Sequence, residues 1–458
     1  MDFLELFGYA LVALPYSVAI LLGLLACYCC VAVYTSPGVA SALVALGLIQ
    51  SVLLRGFGSI PVGIITLELQ DIVTVLLLAV GLLRIGTRTS GSALPWSFWT
   101  AVFAMLGSFA LGTITYKTAA GVSLRPYFYP VAVALYFSTV PFDNRMQRVF
   151  IRTWGLLAAF LVGVAALRWS GLLDHAVSQG SGRFVMLDRI RVISAVQSLL
   201  VLQFAMLALT APRAVISPAF SRVTGSALLL FTLVLQHRSV WLAGLAGIFA
   251  TALAGARRHL GAIVLGGIIV ALLITVLSVL GVGGSLFSEV SNSAARAVQG
   301  SDSAQARLDT WQFAVGKWWG SGPSAWLFGL PFGTDMERVV VNSQGDAQKI
   351  SFQSHSFYVQ TLFNLGLVGL GSWLAFFAAI ARRLLVQARS GTAGTWPSVL
   401  FALFVSQLAY YLTYGATYEN GLLLGVCAAV AFARPMTQPD HAAAVPKHAA
   451  AIAGRRPA

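Results

Sequence analysis

The stretch QSHSFYVQTLFNLGLVG, residues 353–369, joins a polar segment to a long apolar run. The polar segment, residues 283–352, is the only sizeable hydrophilic region between apolar blocks, and the run after it is long enough to cross a membrane. His355 stands at the junction. Because imidazole changes its charge near neutral pH, a histidine at a membrane surface can move protons. The stretch therefore predicts a membrane helix that begins beside an acid–base group.

The composition is typical of a polytopic membrane protein. Of 458 residues, 58% are hydrophobic and only 10% are charged, whereas soluble domains carry about 25% charged residues. The apolar residues form continuous blocks of about 17–25, the length that crosses hydrocarbon about 30 Å thick. Continuous blocks indicate helices rather than the alternating strands of a barrel. We therefore expect an all-α polytopic membrane protein with about twelve transmembrane helices.

The candidate spans follow directly from the apolar blocks. They are residues 9–34, 38–55, 67–85, 94–113, 128–142, 149–169, 190–211, 222–236, 239–255, 260–282, 355–382, 396–413 and 418–433. We expect a membrane bundle over residues 1–282, a large external loop over 283–354, further membrane helices over 355–433 and a disordered tail over 434–458.

The net charge of +14 is explained mainly by topology rather than by nucleic-acid binding. Arginines cluster in every second loop, which the positive-inside bias places in the cytoplasm together with the tail. These residues are Arg84, Arg88, Arg145, Arg148, Arg152, Arg213, Arg222, Arg257, Arg258, Arg382, Arg383 and Arg389. The opposite, external side then holds residues 114–127, residues 170–190, a tight turn at 236–239 and the 283–354 loop.

Two patterns organise the external loop. Residues 303–319, SAQARLDTWQFAVGKWW, place apolar residues at helical spacing and end in tryptophans. This pattern predicts an amphipathic helix at the bilayer interface. Residues 320–333, rich in glycine and proline, predict a loop built from turns.

Three arginines on the external side depart from the positive-inside bias. Arg238 lies at the tight turn between two apolar blocks, and Arg189 and Arg191 lie at the outer end of another. A planar, permanently charged guanidinium fits phosphate oxygens, so the three suggest an anionic headgroup such as a pyrophosphate. The alternative for Arg189 is that its side chain snorkels to lipid phosphates. The alternative for His355 is that it caps a helix or is simply solvated.

Other polar residues give weaker signals. Glu68 and Asp71 are three residues apart and share a helix face, where they could form a polar cluster or pair with an arginine. The sequence contains no metal-ligand or phosphate-loop motif that we recognise.

The order of three short motifs resembles a known family. His355 and Gly366 form H-x10-G, Arg238 and Leu242 form R-x3-L, and RLDTW begins at Arg307 and includes Trp311. The RLDTW segment leads to GLPFG, which ends at Gly333. This order resembles the O-antigen ligase and polymerase superfamily, and within it looks like the O-antigen ligases of Gram-negative bacteria, over about residues 185–380.

The resemblance implies a glycosyltransferase with a GT-C-like fold in the bacterial inner membrane. The donor would be an O-antigen glycan on undecaprenyl pyrophosphate and the acceptor lipid A-core oligosaccharide, joined at the periplasmic face without metal, nucleotide or other cofactor. It implies catalytic roles for His355, Arg238 and, by position, Arg191. Arg189, Arg307, Trp311 and Gly366 would bind substrate. Arg189 could replace Arg191 at the pyrophosphate.

Two other functions remain open from sequence. An O-antigen polymerase would use the same donor but a second lipid-linked glycan as acceptor, and the motifs do not exclude it. A transporter of an anionic lipid-linked substrate is the alternative from another class. Transporter sites usually lie near the bilayer midplane, however, whereas these arginines cluster at the external face.

Overall fold

The computed structural model describes residues 27–53, 60–62, 65–87, 93–173, 176–179, 183–186, 192–210, 218–255, 302–341, 347–351, 354–390 and 395–433, together with residues 25, 261 and 268. The helices are α1 (Cys27–Thr35), α2 (Pro37–Leu53), α3 (Leu69–Gly86), α4 (Trp96–Tyr116), α5 (Thr118–Thr139), α6 (Asn144–Trp169), α7 (Ala195–Thr210), α8 (Pro218–Val234), α9 (Arg238–Leu253), α10 (Asp302–Gly320), α11 (Pro323–Phe328), α12 (Phe357–Ser390), α13 (Trp396–Tyr410) and α14 (Asn420–Ala431).

The predicted helical architecture is confirmed for most apolar blocks. The blocks predicted at 38–55, 67–85, 94–113 and 149–169 correspond to α2, α3, α4 and α6, and those after residue 190 to α7, α8, α9, α12, α13 and α14. The 260–282 span and the 434–458 tail lie outside the described residues, as does the first part of the 9–34 span.

Fewer of the described helices are long enough to cross a membrane than the number of spans that the sequence predicts. Within the described ranges, α3, α4, α6 and α12 are long and apolar enough to cross a membrane. The bent pair α1 and α2, which meet at 115°, would add a fifth. Five further apolar helices are shorter. The total of about twelve spans remains a prediction.

Residues 114–127, which the sequence places between two spans, are mostly helical. Helix α4 continues to Tyr116, the chain reverses at Lys117, whose φ is 52°, and α5 starts at Thr118. Two prolines inside α5, Pro126 and Pro130, and the charge of Arg125 make this stretch look like a loop. Tertiary packing overrides that signal, because α5 packs closely against α3 and α14.

The 303–319 helix is confirmed as α10, and the turn-rich segment predicted over 320–333 also contains a short helix. Helix α11 occupies Pro323–Phe328. Gly322 and Gly329 flank it with φ of 90° and 78°, and Pro323 takes the first helical position. The indole of Trp318 donates to the carbonyl of Ala325 over 2.7 Å, which ties α11 to α10.

Gly366 explains why α11 is held where it is. It interrupts α12 with φ of 62° and ψ of −163°, a conformation that favours glycine. A Cβ at this position would lie 2.4 Å from the carbonyl oxygen of Leu327. The kink also frees the carbonyl of Phe363, which accepts a hydrogen bond from the Leu330 amide over 2.7 Å.

In the part of the chain that the structure describes, three short antiparallel hairpins connect or extend these helices, and the sequence patterns do not predict them. They pair β1 (Ile60–Val62) with β2 (Ile65–Leu67), β3 (Ala176–Gln179) with β4 (Arg183–Met186), and β5 (Glu337–Val341) with β6 (Ala347–Ser351). The third hairpin lies between α11 and the junction at His355.

Candidate functional site

An open cavity of about 370 Å³ lies where the ends of six helices meet. Its wall combines hydroxyl, amide, carboxylate, guanidinium and imidazole groups with a few apolar residues. The lining residues are Ser51, Gln70, Arg125, Pro126, Tyr129, Ser194, Ala195, Val196, Gln197, His355, Gln360, Tyr410, Tyr414, Gly415, Ala416, Thr417, Tyr418 and Glu419.

The cavity occupies one end of the helix bundle. The first turns of α3, α7 and α12, residues 125–129 of α5, the last turns of α2 and α13 and the connection after α13 supply its wall. Arginines of the alternate loops lie at the other ends of helices: Arg84 and Arg389 are in the last turns of α3 and α12. Arg145 is the second residue of α6, whose last turn contacts the segment before α7. The cavity therefore lies at the bundle end opposite those basic loops.

His355 is held rigidly at the cavity by its backbone. It has φ of 48°, which is uncommon for a residue with a side chain. Its neighbours Ser354 and Ser356 are buried. The amide of Phe357 donates to the carbonyls of Tyr411 and Tyr414, each over 3.0 Å. Strained backbone that is held this firmly is a feature of functional sites.

Two residues of the RLDTW segment meet the same junction. The guanidinium of Arg307 donates to the Tyr414 hydroxyl over 3.2 Å and lies over the Tyr414 ring at 4.9 Å. The indole of Trp311 donates to the carbonyl of Ser354 over 2.6 Å. The structure thus brings Arg307 and Trp311 together with His355, and each contacts a neighbour of the histidine in sequence or in space.

This arrangement favours the neutral imidazole. Burial by the surrounding protein lowers the pKa of His355 from its usual range, and the positive charge of Arg307 lowers it further. His355 lines the open cavity. His355 is then neutral at neutral pH and can accept a proton from a molecule in the cavity.

The cavity wall formed by α3 and α5 carries an ion pair that the sequence predicts only in part. Asp71 was expected to form a polar cluster or pair with an arginine, and Arg125 is that partner, at 3.0 Å. The hydroxyl of Tyr129 donates to the other oxygen of Asp71 over 2.6 Å. Asp71 also accepts from the Glu68 amide at the start of α3, over 2.8 Å. No sequence motif identifies Arg125 or Tyr129 as a site residue. The position of Arg125 outside the basic loops was the signal that could have identified it.

Tyr414 and Glu419 are further cavity residues that motifs did not identify. Both lie in the connection between α13 and α14. The Tyr414 ring contacts His355 edge to face, with centroids 6.2 Å apart, and stacks on Tyr410 at 5.0 Å. No sequence spacing links residue 414 to residue 355, so only the folded structure shows this neighbour.

Arg238 lies close to the cavity but does not line it. The predicted tight turn is confirmed: α8 ends at Val234 and α9 begins at Arg238, with Gln236 at φ of 57°. The ring of the preceding His237 hydrogen-bonds the carbonyl of Ile193 over 2.9 Å. Ile193 precedes Ser194, which lines the cavity. The start of α9 therefore adjoins the cavity wall formed by α7.

A buried arginine that the sequence analysis missed supports the same wall. Arg168, 6% exposed, donates from the end of α6 to the carbonyl of Val192 over 2.6 Å. It fixes the segment that leads into α7.

The remaining predicted site residues separate into two cases. Arg189 and Arg191 lie outside the described residues. Gly366 does not line the cavity and instead packs against the backbone of α11 and Gly329. Among the residues that the structure describes, histidine, cysteine, aspartate and glutamate form no group of three that could hold a metal ion.

Residues 224–374 match the family model described as O-antigen ligase. Among curated proteins, none matches the chain. The matched residues begin in α8 and run through Arg238, α10 and His355 into α12. Residues 224–374 are therefore similar to the O-antigen ligase family.

Proposed function

We propose that this membrane protein, similar to the O-antigen ligase family over residues 224–374, is a glycosyltransferase that moves an O-antigen glycan from undecaprenyl pyrophosphate to lipid A-core oligosaccharide. The observation that carries the proposal is the position of His355. It lies beside Arg307 and Tyr414 in a polar cavity, at the bundle end opposite the basic loops.

The positive-inside bias supports a periplasmic site. It assigns the ends that carry Arg84, Arg145 and Arg389 to the cytoplasm, so the cavity end faces the periplasm of the inner membrane. The proposed architecture is GT-C-like, with about twelve spans, a periplasmic loop over 283–354 and a cytoplasmic tail.

His355 is the proposed general base. A sugar hydroxyl of the acceptor attacks the anomeric carbon of the donor, and its proton passes to the neutral imidazole as the new carbon–oxygen bond forms. The bond from the anomeric carbon to the pyrophosphate oxygen breaks at the same time, and undecaprenyl pyrophosphate leaves. Attack opposite the leaving group inverts the anomeric configuration.

Arginines are the proposed stabilisers of the leaving group. Negative charge grows on the bridging oxygen, and a fixed guanidinium near that oxygen lowers the barrier. Arg238 adjoins the cavity wall of α7, and Arg191 or Arg189 is assigned to the same role by sequence. These permanent charges supply the electrostatic stabilisation, so the mechanism needs no metal.

An apolar groove is the proposed path of the undecaprenyl chain. A cavity of about 460 Å³ lies between α12 and α13, lined by Tyr358, Leu370, Leu374, Val405, Leu408, Ala409 and Leu412. Tyr358 is three residues from His355, so a lipid chain in this groove has its headgroup end near the polar cavity.

A reconstituted assay tests the proposal. Purified protein in vesicles receives an undecaprenyl-pyrophosphate-linked glycan with lipid A-core oligosaccharide, and products are separated by size. The proposal predicts a covalent glycan–lipid A-core product that forms equally well in EDTA. Elongation of the glycan on its lipid carrier would instead show a polymerase, and movement of the donor across the bilayer without a covalent product would show a transporter.

A further inference from the structure

Arg125 is a cavity arginine to which neither the motifs nor the proposed mechanism assigns a role. We propose that Arg125 forms a second anion subsite, which binds a phosphate group of the acceptor glycolipid. This inference rests on the proposed function and concerns the cavity wall formed by α3 and α5.

The position of Arg125 separates it from the donor arginine. It lies in the second turn of α5 and lines the cavity on the wall formed by α3 and α5. Arg238 adjoins the wall formed by α7. Transfer between two lipid-linked molecules needs both headgroups beside one base. Arg125 on one wall and Arg238 next to another suit two anionic headgroups.

A smaller cavity, which Arg125 also lines, indicates where the acceptor lipid enters. It measures about 170 Å³, and Arg125 and Asp71 line it together with Val122, Leu124 and Phe128. Val122 is 54% exposed, so this cavity opens on the outer surface of the bundle. Apolar side chains around one guanidinium fit a glycolipid, whose acyl chains meet the apolar residues while a phosphate meets Arg125.

Asp71 and Tyr129 hold the guanidinium in place. Asp71 pairs with Arg125 over 3.0 Å, and Tyr129 in turn donates to Asp71 over 2.6 Å. The Arg125 side chain is 23% exposed. A guanidinium that is oriented by a carboxylate loses little rotamer freedom when it binds phosphate.

The test compares two acceptors with two variants. Wild type, Arg125→Gln and Asp71→Asn receive lipid A-core oligosaccharide, either intact or after enzymatic removal of its phosphates. For the wild type we expect kcat/KM to fall about ten- to a hundredfold on loss of the phosphates, the range for one charge-assisted hydrogen bond. Arg125→Gln should lose this preference with an unchanged KM for the donor.

Asp71→Asn is the matched control for a purely structural pair. It breaks the same ion pair but keeps the guanidinium, so it should retain much of the phosphate preference. Equal behaviour of the two variants, a phosphate preference that survives in Arg125→Gln, or a higher KM for the donor would each overturn the inference. Absence of any transfer by the wild type would instead overturn the proposed function, and this inference with it.

A blocking variant tests the entry route without changing charge. Gly121 lines the smaller cavity, and a side chain there meets no protein atom within 4 Å. Gly121→Phe should raise the KM for the acceptor but not for the donor. Gly107→Phe on α4, where a side chain also meets nothing within 4 Å, is the control that should leave both KM values unchanged. Equal KM values in wild type and Gly121→Phe would overturn the route.

Discussion

Arginines at the two ends of the helix bundle make different contacts. At the basic end they donate to carbonyls at helix C-termini: Arg389 to Leu253 over 3.0 Å and Arg84 to Tyr34 over 3.0 Å. Arg84 also lies over the Tyr34 ring at 5.6 Å. At the cavity end Arg125 and Arg307 hydrogen-bond the side chains of Asp71 and Tyr414. A guanidinium that donates to the last carbonyls of a helix stabilises that helix end, and we expect a guanidinium held by a side chain at the cavity wall to keep further donors for a bound molecule.

Arg168 shows that position alone does not separate the two roles. It lies at the cavity end, yet it is buried and donates to the carbonyl of Val192. The partner of an arginine therefore tells more about its role than its end of the bundle does.

Among the arginine substitutions, the largest effect is expected at Arg238, which is assigned to the leaving group. Arg238→Gln should lower the rate of transfer about 10²–10³-fold, the range for loss of one donor to a developing oxyanion. Arg238→Lys should recover only part of it, because an ammonium lacks the planar fork. Steady-state kinetics in the reconstituted assay measure both. Arg222→Gln, at the other end of the α8–α9 pair, is the control, and an equal loss there would remove the special role of Arg238.

A glycine pair tests the packing that supports the cavity end. Gly366→Ala should lower the free energy of unfolding by about 1–3 kcal/mol, because the backbone has φ of 62° and a Cβ would meet the Leu327 carbonyl. Thermal unfolding in detergent measures the change.

Gly371→Ala on the same helix is the matched control. A side chain there meets no atom within 4 Å, so alanine should be neutral or slightly stabilising. Equal effects of the two substitutions would contradict the packing role of Gly366.

The pH dependence of transfer tests the link between Arg307 and His355. Arg307 lowers the pKa of His355, so Arg307→Gln should raise it. More imidazole is then protonated in mildly acidic buffer, and the acidic limb of the pH–rate profile should move to higher pH, with transfer at pH about 6 reduced more than at pH about 8.

Tyr414→Phe separates charge from packing in this experiment. It removes the hydroxyl that accepts from Arg307 but keeps both the ring and the positive charge. Its acidic limb should stay near that of the wild type. An unmoved limb in Arg307→Gln would show that Arg307 does not tune the base.

The smallest effect is expected at the basic end. Arg389→Gln removes hydrogen bonds to the Leu253 carbonyl and should lower the free energy of unfolding by about 0.5–1.5 kcal/mol. Transfer per folded molecule should not change. Arg382 is an exposed neighbour, and Arg382→Gln should have less effect on unfolding. A loss of transfer per folded molecule in Arg389→Gln would contradict a purely structural role for arginines at the basic end.

Sequence predicts the helices because each apolar block is a continuous stretch of the chain. It predicts the turn at Arg238 because both ends of the stretch that contains it are basic and belong on the same side of the membrane. It fails at α5, where Arg125 and Pro126 resemble a loop while packing makes a helix. It predicts that Glu68 and Asp71 share a helix face and could form a polar cluster or pair with an arginine, but it does not identify Arg125. It misses Tyr414 as a neighbour of His355, because that contact joins two connections far apart in the chain.

The most direct measurement of the central claim is transfer by His355→Asn. Asparagine tolerates the φ of 48° at this position, so the backbone is kept while the base is lost. The account predicts that single-turnover transfer falls about 10²–10⁴-fold while equilibrium binding of the lipid-linked donor stays near the wild-type value. Transfer at close to the wild-type rate would contradict it.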